Sequence, residues 1–278
     1  MNARQQLRAP AKVKLLEDAA GATPLRDPAE RDTLGKDAIK QRERDAAAEL
    51  TQQIAACQDM MYAQRKHKLL LVLQGMDTSG KDGTVRALFS AINPMGLRGV
   101  GFKAPSPDEL AHDYLWRVHS QVPAKGEIVI FNRSHYEDVL ITRVQGMIDE
   151  EECKRRYAHI RDFERMLAET GTVIVKIFLH ISKDEQRERL QARIDDPEKQ
   201  WKFDPNDVVQ RQKWDGYMDA YERAITATDA DHAPWYIIPA DSKVHRNLLV
   251  STLLLEVMQS LNMAYPEPDP ALTGTKIA

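Results

Sequence analysis

The stretch Leu69 to Thr84, LLLVLQGMDTSGKDGT, restricts the fold more than any other part of the chain. An unbroken apolar run enters Gly75, four residues follow, and then come Gly80 and Lys81. This is G-x-x-x-x-G-K, the spacing of a loop whose backbone N–H groups cradle phosphate between a strand and a helix N-terminus. Gly75, Ser79, Gly80, Gly83 and Thr84 are its expected phosphate-binding positions. Lys81 is expected to bridge the far end of a phosphate chain as a mobile point charge. The next position ordinarily carries a Ser or Thr hydroxyl for a metal, and here it holds Asp82. Asp82 is either a phosphate-side group or an acid favoured in a first helical turn.

The same strand–turn–helix rhythm repeats downstream. Short apolar runs lie at Leu69–Leu73, Val100–Phe102 (the weakest), Ile128–Phe131, Val173–Leu179 and Tyr236–Ile238. Between them the pattern predicts helices over Lys81–Ile92, Pro107–Gln121, Ser134–Gln145, Glu150–Glu169, Lys183–Arg193 and Asn206–Ala227. After the last run, Asp241 is expected to cap a helix carrying Leu248, Leu249, Leu253 and Leu255. Strands alternating with helices give an α/β fold: a parallel sheet of about five strands with helices on both faces. Ligands then sit at the carboxyl ends of the strands. Ahead of the sheet, residues 1–66 read as an arm lying over the surface, to about residue 34, and one long helix, Lys36–His67. Residues 67–265 form the α/β domain, and the Pro-rich residues 266–278 form a loose tail.

At 278 residues, 42% hydrophobic and 29% charged, the chain has the make-up of an ordinary globular enzyme. Its net charge of −3 gives no sign of nucleic acid or membrane as partner, so a polyanion must be held by local clusters of Lys and Arg. Cys57 and Cys153 are too few for a disulfide framework or a zinc set. The N-terminus lacks a signal-peptide core, and the longest apolar run, TVIVKIFLHI, is interrupted by Lys176 and too short to span a bilayer. A soluble, cytoplasmic protein is expected.

The third run, in GEIVIFNRSHYEDVL, ends in Asn132 where a phosphate-transferring enzyme of this kind usually has a metal-supporting acid. Arg133 follows, then Glu137 and Asp138. Mg²⁺ commonly takes only one or two carboxylates. Asp77, inside the loop, is the first candidate metal ligand and Glu137 the second. Lys103 follows the second run on the ligand side. Asp113 and Arg117 fall at i, i+4 on the predicted helix, as a surface ion pair or as nucleotide-binding groups. His112 and His119 have no HExxH pattern and no Cys companion, so zinc is not expected.

The segment SKDEQRERLQARIDDPEKQWKFDP interleaves Arg187, Arg189, Arg193, Lys199 and Lys202 with as many acids. It reads as a solvated helix or as a mobile hairpin, residues 183–213, that closes over phosphates. Asp204 and Pro205 start the next helix, whose Trp214, Tyr217, Met218, Tyr221 and Ile225 form a core stripe.

Taken together, GMDTSGKDGT, FKAPSPDELAHDYLWRVH, FNRSHYEDVLITRV and RIDDPEKQWKF resemble polyphosphate kinase family 2, from about Gln41 to Pro266. The resemblance implies a P-loop kinase fold of the thymidylate-kinase type with a helical lid. It implies Mg²⁺-dependent, reversible phosphoryl transfer between inorganic polyphosphate and adenine or other purine nucleotides, in a homo-oligomer (dimer or tetramer). It puts Asp77 and Lys81 at the transferring phosphates with the metal, gives Arg133 a phosphate contact, and makes RIDDP part of the lid. Many members read FDRSWYNR in the second motif. Here Asn132, His135, Glu137 and Asp138 match instead the class III subgroup, which phosphorylates both AMP and ADP. Two rival readings are an ATP-dependent nucleoside or nucleotide kinase on the same fold and a low-turnover nucleotide-binding regulatory module.

Overall fold

The structure, a computed structural model, describes residues 2–27, 34–272 and 274–277. Five strands form one parallel sheet: β1 (Lys68–Gln74), β2 (Leu97–Gly101), β3 (Ile128–Asn132), β4 (Thr172–His180) and β5 (Trp235–Pro239). Their spatial order is β2-β3-β1-β4-β5. Leu69 to Leu73 are each fully buried, because a parallel sheet covered by helices hides both faces of its central strand. Each such side chain contributes on the order of 1.5–3 kcal/mol of burial. β2 starts earlier than its apolar residues announce, because Leu97 to Gly101 pair with Ile128 to Asn132 through two glycines that carry no pattern.

The long helices are α1 (Lys36–Gln64), α2 (Lys81–Phe89), α3 (Glu150–Glu169), α4 (Lys183–Asp195), α5 (Pro205–Gln212), α6 (Trp214–Thr228) and α7 (Lys243–Gln259). α7 packs on α1 and α2, whereas α6 packs on α3. Three predicted helices are broken. Residues 107–121 give only the turns Pro107–Leu110 and Trp116–His119, with the side chain of Asp113 accepting from Leu115 N (2.9 Å) between them. A short Asp side chain offers the backbone that alternative to helix. Residues 134–145 form a 3₁₀ turn, His135–Val139, and one α-turn, Ile141–Val144. The helix expected over 206–227 divides at Lys213. The cap of α7 is Ser242, not Asp241; the Asp241 carboxylate instead accepts from Ser182 N (2.8 Å).

The N-terminal arm is part of the core as well as the surface. Ala3, Leu7, Ala9, Val13 and Leu15 are buried, and Arg8 forms an antiparallel bridge with Tyr236 that covers the free edge of β5. The tail is exposed from Ala264 onward wherever it is described. Among the described residues no helix is long and apolar enough to cross a membrane.

Behind the sheet, Glu164 of α3 is fully enclosed by three donors. Lys176 Nζ (2.6 Å), Tyr136 Oη (2.9 Å) and a ring nitrogen of His135 (3.2 Å) reach its carboxylate. Burial pushes the Glu164 carboxyl up, but Lys176 and His135 outweigh it and hold the group below its ordinary value. This network pins the 3₁₀ turn that follows β3. Removing one partner leaves an uncompensated buried charge. Lys176→Ala is expected to lower unfolding free energy by about 3–5 kcal/mol in urea titrations, and Lys176→Met with Glu164→Leu to recover most of it.

Candidate active site

The strand order puts a reversal between β1 and β3: the connection after β1 runs to one side of the sheet and that after β3 to the other. Such a crevice at the carboxyl ends is where parallel sheets bind ligands. Leu73 pairs with Asn132 there, so the loop after β1 and the Asn132–Arg133 corner face each other. A cleft of about 960 Å³ opens above them. Of the sequence-predicted residues, Asp77, Gly80, Lys81, Asp82, Gly83, Lys103, Asn132, Arg133, Arg189, Arg193, Lys199 and Lys202 line it, whereas Gly75, Ser79 and Glu137 do not.

The loop is bent at Gly75 (φ 147°) and Gly80 (φ 101°), and Thr78 takes a left-handed φ of 66°. A Cβ at Gly75 would lie 2.7 Å from Leu179 O, so close packing against β4 excludes a side chain. Gly80 caps α2 without a side-chain acceptor, which leaves the first amides of the helix for an anion. Lys81 curls back to donate to Gly75 O (2.8 Å) and Met76 O (3.3 Å). Burial pushes its ammonium down, opposed by Asp77 and Glu137. The Ser79 and Thr84 hydroxyls are buried without a partner, so Thr84 lies beneath the loop, not in the cleft.

Arg133, itself at φ 63°, donates from Nη2 to Asp77 Oδ1 (2.6 Å). Burial opposes its charge, yet Asp77 and Glu137 keep its pKa above the ordinary value. Glu137 is held by Gln74, whose amide nitrogen donates to Oε1 (3.2 Å) while its oxygen accepts from Ser134 Oγ (3.0 Å). Burial raises the Glu137 carboxyl against Arg133 and Lys81. Asn132 Nδ2 donates to Asp82 Oδ1 (2.6 Å), so the amide at the strand end and the acid after the lysine satisfy each other. Asp77, with Oδ1 held by Arg133, lines the cleft. One or two carboxylates beside phosphate oxygens suffice for Mg²⁺, and Asp77 with Asp82 fits that requirement.

Asp113 and Arg117 are not brought to this cleft. Asp113 lines a separate depression with Trp116, His119 and Phe163. Arg117 is buried over the Phe102 ring and pairs with Glu109 (3.7 Å) and Asp138 (3.8 Å), replacing the expected i, i+4 pair. Arg187 does not line the cleft and pairs with Asp184 (3.8 Å). Arg189 pairs with Glu185 (2.6 Å) as an i, i+4 contact and is otherwise spent on carbonyls: Thr78 O (2.9 Å), Ser79 O (3.2 Å), Ala240 O (2.6 Å) and Asp241 O (2.9 Å). Arg193 reaches Lys202 O (3.2 Å) and Asp207 Oδ2 (3.3 Å). Lys199 pairs with Asp196, and Lys202 lies over the Trp201 ring.

Four positions went unread in the sequence. Lys243 and Asp207 line the cleft, Gln186 donates to Asp77 O (3.2 Å), and Arg246 donates to Ser79 O (3.4 Å) from behind the loop. The second loop glycine is required by its left-handed φ of 101°; a Cβ there would also displace the end of the Arg246 side chain, whose Nη1 lies 1.9 Å away. Burial and Arg189 push the Arg246 guanidinium down to about 10. One signal was available: a helix after the last strand starts at the ligand edge, which places its first turn, with Lys243 and Arg246, at the site.

The polyphosphate kinase 2 family model matches residues 36–266. The chain belongs to the polyphosphate kinase 2 family. It is 53% identical over 240 residues to the AMP/ADP-polyphosphate phosphotransferase of Meiothermus ruber, covering 86% of this chain and 90% of that one. It is 47% identical to the ADP-polyphosphate phosphotransferase of Rhodopseudomonas palustris, over 79% of this chain and 80% of the relative. The crystal structure of polyphosphate kinase 2 from Arthrobacter aurescens superposes with a TM-score of 0.88 at 41% identity, covering 97% and 93% of the two chains. The fold is therefore that of the family.

Asp207 gives the cleft a measurable titration. Burial, then Asp77, raises its carboxyl from 3.8 to about 6, against the pull of Arg193. The folded protein thus holds a proton that the unfolded chain has released above its ordinary value. Its stabilising effect is complete below pH 3.8 and lost as pH rises through about 6. Compared with Asp207→Asn in denaturant titrations, the wild type should lose stability from pH 4 to pH 6 by an amount the variant does not.

Proposed function

We propose that this protein transfers phosphoryl groups between inorganic polyphosphate and nucleotides, phosphorylating AMP to ADP and ADP to ATP. The observation that carries this reading is the Asp77–Arg133 contact across the ends of β1 and β3, beside Lys81 and in a cleft where Lys and Arg outnumber Asp and Glu. The names of the relatives support the donor and both acceptors. Asn132, His135, Glu137 and Asp138 support the class III assignment.

An oxygen of the acceptor's terminal phosphate attacks the end phosphorus of the chain. The bridging P–O bond breaks, and the shortened polyphosphate leaves with that oxygen. This chemistry requires alignment and charge stabilisation, not a covalent intermediate. The amides from Gly80 onward and Lys81 hold the phosphates, and Arg133 steadies Asp77 while facing the transferred group. Asp77 would hold Mg²⁺, and the chemistry that ion would supply is neutralisation of charge on the transferred phosphate. Residues 183–213 act as a lid that brings Arg193, Lys199 and Lys202 over the donor, with Lys103 on the opposite wall. Glu137 borders the acceptor side.

The test is incubation with Mg²⁺, polyphosphate and AMP or ADP, without ATP. Formation of ADP and ATP is expected. Product only when ATP is supplied would assign an ordinary nucleotide kinase, and no turnover a regulatory module.

Two substitutions locate the chemistry. Asp77→Asn keeps most hydrogen bonding but removes the carboxylate, so kcat should fall by about 10²-fold or more with a raised Mg²⁺ requirement. Normal turnover at limiting Mg²⁺ would move the metal to Glu137 or Asp82. Arg193→Ala should lower kcat by on the order of 10²–10³, the usual effect of losing one transition-state donor. An unchanged rate would return this arginine to its ion pair with Asp207.

A further inference from the structure

The N-terminal arm meets the helical excursion at both of its roots, far along the chain from the phosphate loop. Glu17 Oε2 accepts from Lys183 N (2.9 Å), the first residue of α4. Its other oxygen, Oε1, accepts from Trp214 Nε1 (3.0 Å), the first residue of α6. One carboxylate therefore brackets residues 183–213. At the start of α4 its charge also complements the helix dipole.

The bracket is anchored on both sides. Asp241 N donates to Ala20 O (3.2 Å), and Asp241 Oδ1 accepts from Ser182 N (2.8 Å), so arm, β5 and the root of α4 are joined. Within the excursion, Arg211 donates to Lys183 O (2.5 Å) and Gln186 Oε1 (3.0 Å). Gln186 in turn donates to Asp77 O (3.2 Å). A continuous path of contacts thus runs from Glu17 through the two roots to the loop acid.

We infer that Glu17 is a positioning residue for the phosphoryl transfer: it fixes the two roots of residues 183–213 together, so that the excursion pivots as one hinge. This rests on the proposed closure of that segment over the phosphates. With separate roots, α4 and α5 would swing independently, and the cations they carry would no longer approach the donor in register. Because Glu17 is exposed, its contacts bias the hinge without locking it. The clamp acts on how readily the excursion closes on polyphosphate and not on the closed arrangement that delivers Arg193, so capture suffers more than the chemical step at saturation.

The experiment compares the full-length wild type with Glu17→Ala and Glu17→Gln by backbone deuterium exchange without substrate and by steady-state kinetics. In Glu17→Ala, exchange should quicken across 183–213 while β1 and β4 keep their protection. The KM for polyphosphate should rise roughly tenfold, the scale of one or two charge-assisted hydrogen bonds, with kcat within about threefold. Glu17→Gln, which keeps one acceptor, should fall between the two. Unchanged exchange over 183–213 would overturn the proposal. So would an equal fall in kcat and kcat/KM accompanied by a lower melting temperature, which marks a merely structural anchor. If Glu17→Ala does not fold, the same two readouts on Glu17→Gln decide. Exchange needs no substrate, so a wild type inactive with polyphosphate would sink the proposed activity while the exchange comparison still judges the clamp.

Discussion

The turn between β1 and α2 depends on where its carbonyls go. A loop that offers its N–H groups to phosphate must turn its C=O groups inward, where each needs a donor. Arg189 supplies one for Thr78 and Ser79, Lys81 serves Gly75 and Met76, and Arg246 approaches Ser79 from α7. These donors come from α4, from α2 and from the helix after β5, so the loop's shape requires the entire sheet to be assembled. The left-handed turn at residue 80, φ 101°, disfavours any side chain there, and the Arg246 guanidinium fills the space beside it. A cationic floor under the loop also adds to its affinity for an anion, which the net charge of −3 would otherwise oppose.

Two exchanges of residue type at the strand ends are coupled. Asn132 stands in place of an acid and Asp82 in place of a hydroxyl, and the two bind each other at 2.6 Å. Either change alone would misplace a group: an acid at 132 would face Asp82 as a like charge, and a hydroxyl at 82 would leave the Asn132 amide without this acceptor. Together they cross-link β3 to the first turn of α2. Inside the loop itself the carboxylate is Asp77, and Arg133 takes one of its oxygens, fixing its rotamer.

Much of this was readable in the sequence because it is local. The strand–loop–helix unit from Leu69 to Phe89, the order of strands and helices, the Asp204–Pro205 helix start and the stripe on α6 each depend on neighbours in the chain. What could not be read is set by contacts across it. Arg189 looks like one more residue of a solvated helix, and its Glu185 pair fits that, but its guanidinium is buried among four carbonyls. Arg117 sits at helical spacing from Asp113, but the helix between them is interrupted by an Asp side chain bonding its own backbone. β2 was blurred because Gly99 and Gly101 contribute pairing without hydrophobic pattern.

The acids in and beneath the cleft also keep different partners. Asp77 and Asp82 accept from Arg133 and Asn132; Glu137, beneath the cleft, and Asp207 also have donors, in Gln74 and Arg193, yet burial raises both toward their neutral forms. Asp207 is raised partly by Asp77 itself, and among the described residues Arg193 is its one ion-pair partner. A polyanion entering between them would compete with Asp207 for Arg193 and add negative charge beside it. Both effects favour the protonated carboxyl. On the proposed function, donor binding and proton uptake at Asp207 would be linked, and polyphosphate would have to displace the Arg193–Asp207 ion pair between α4 and α5 to recruit Arg193.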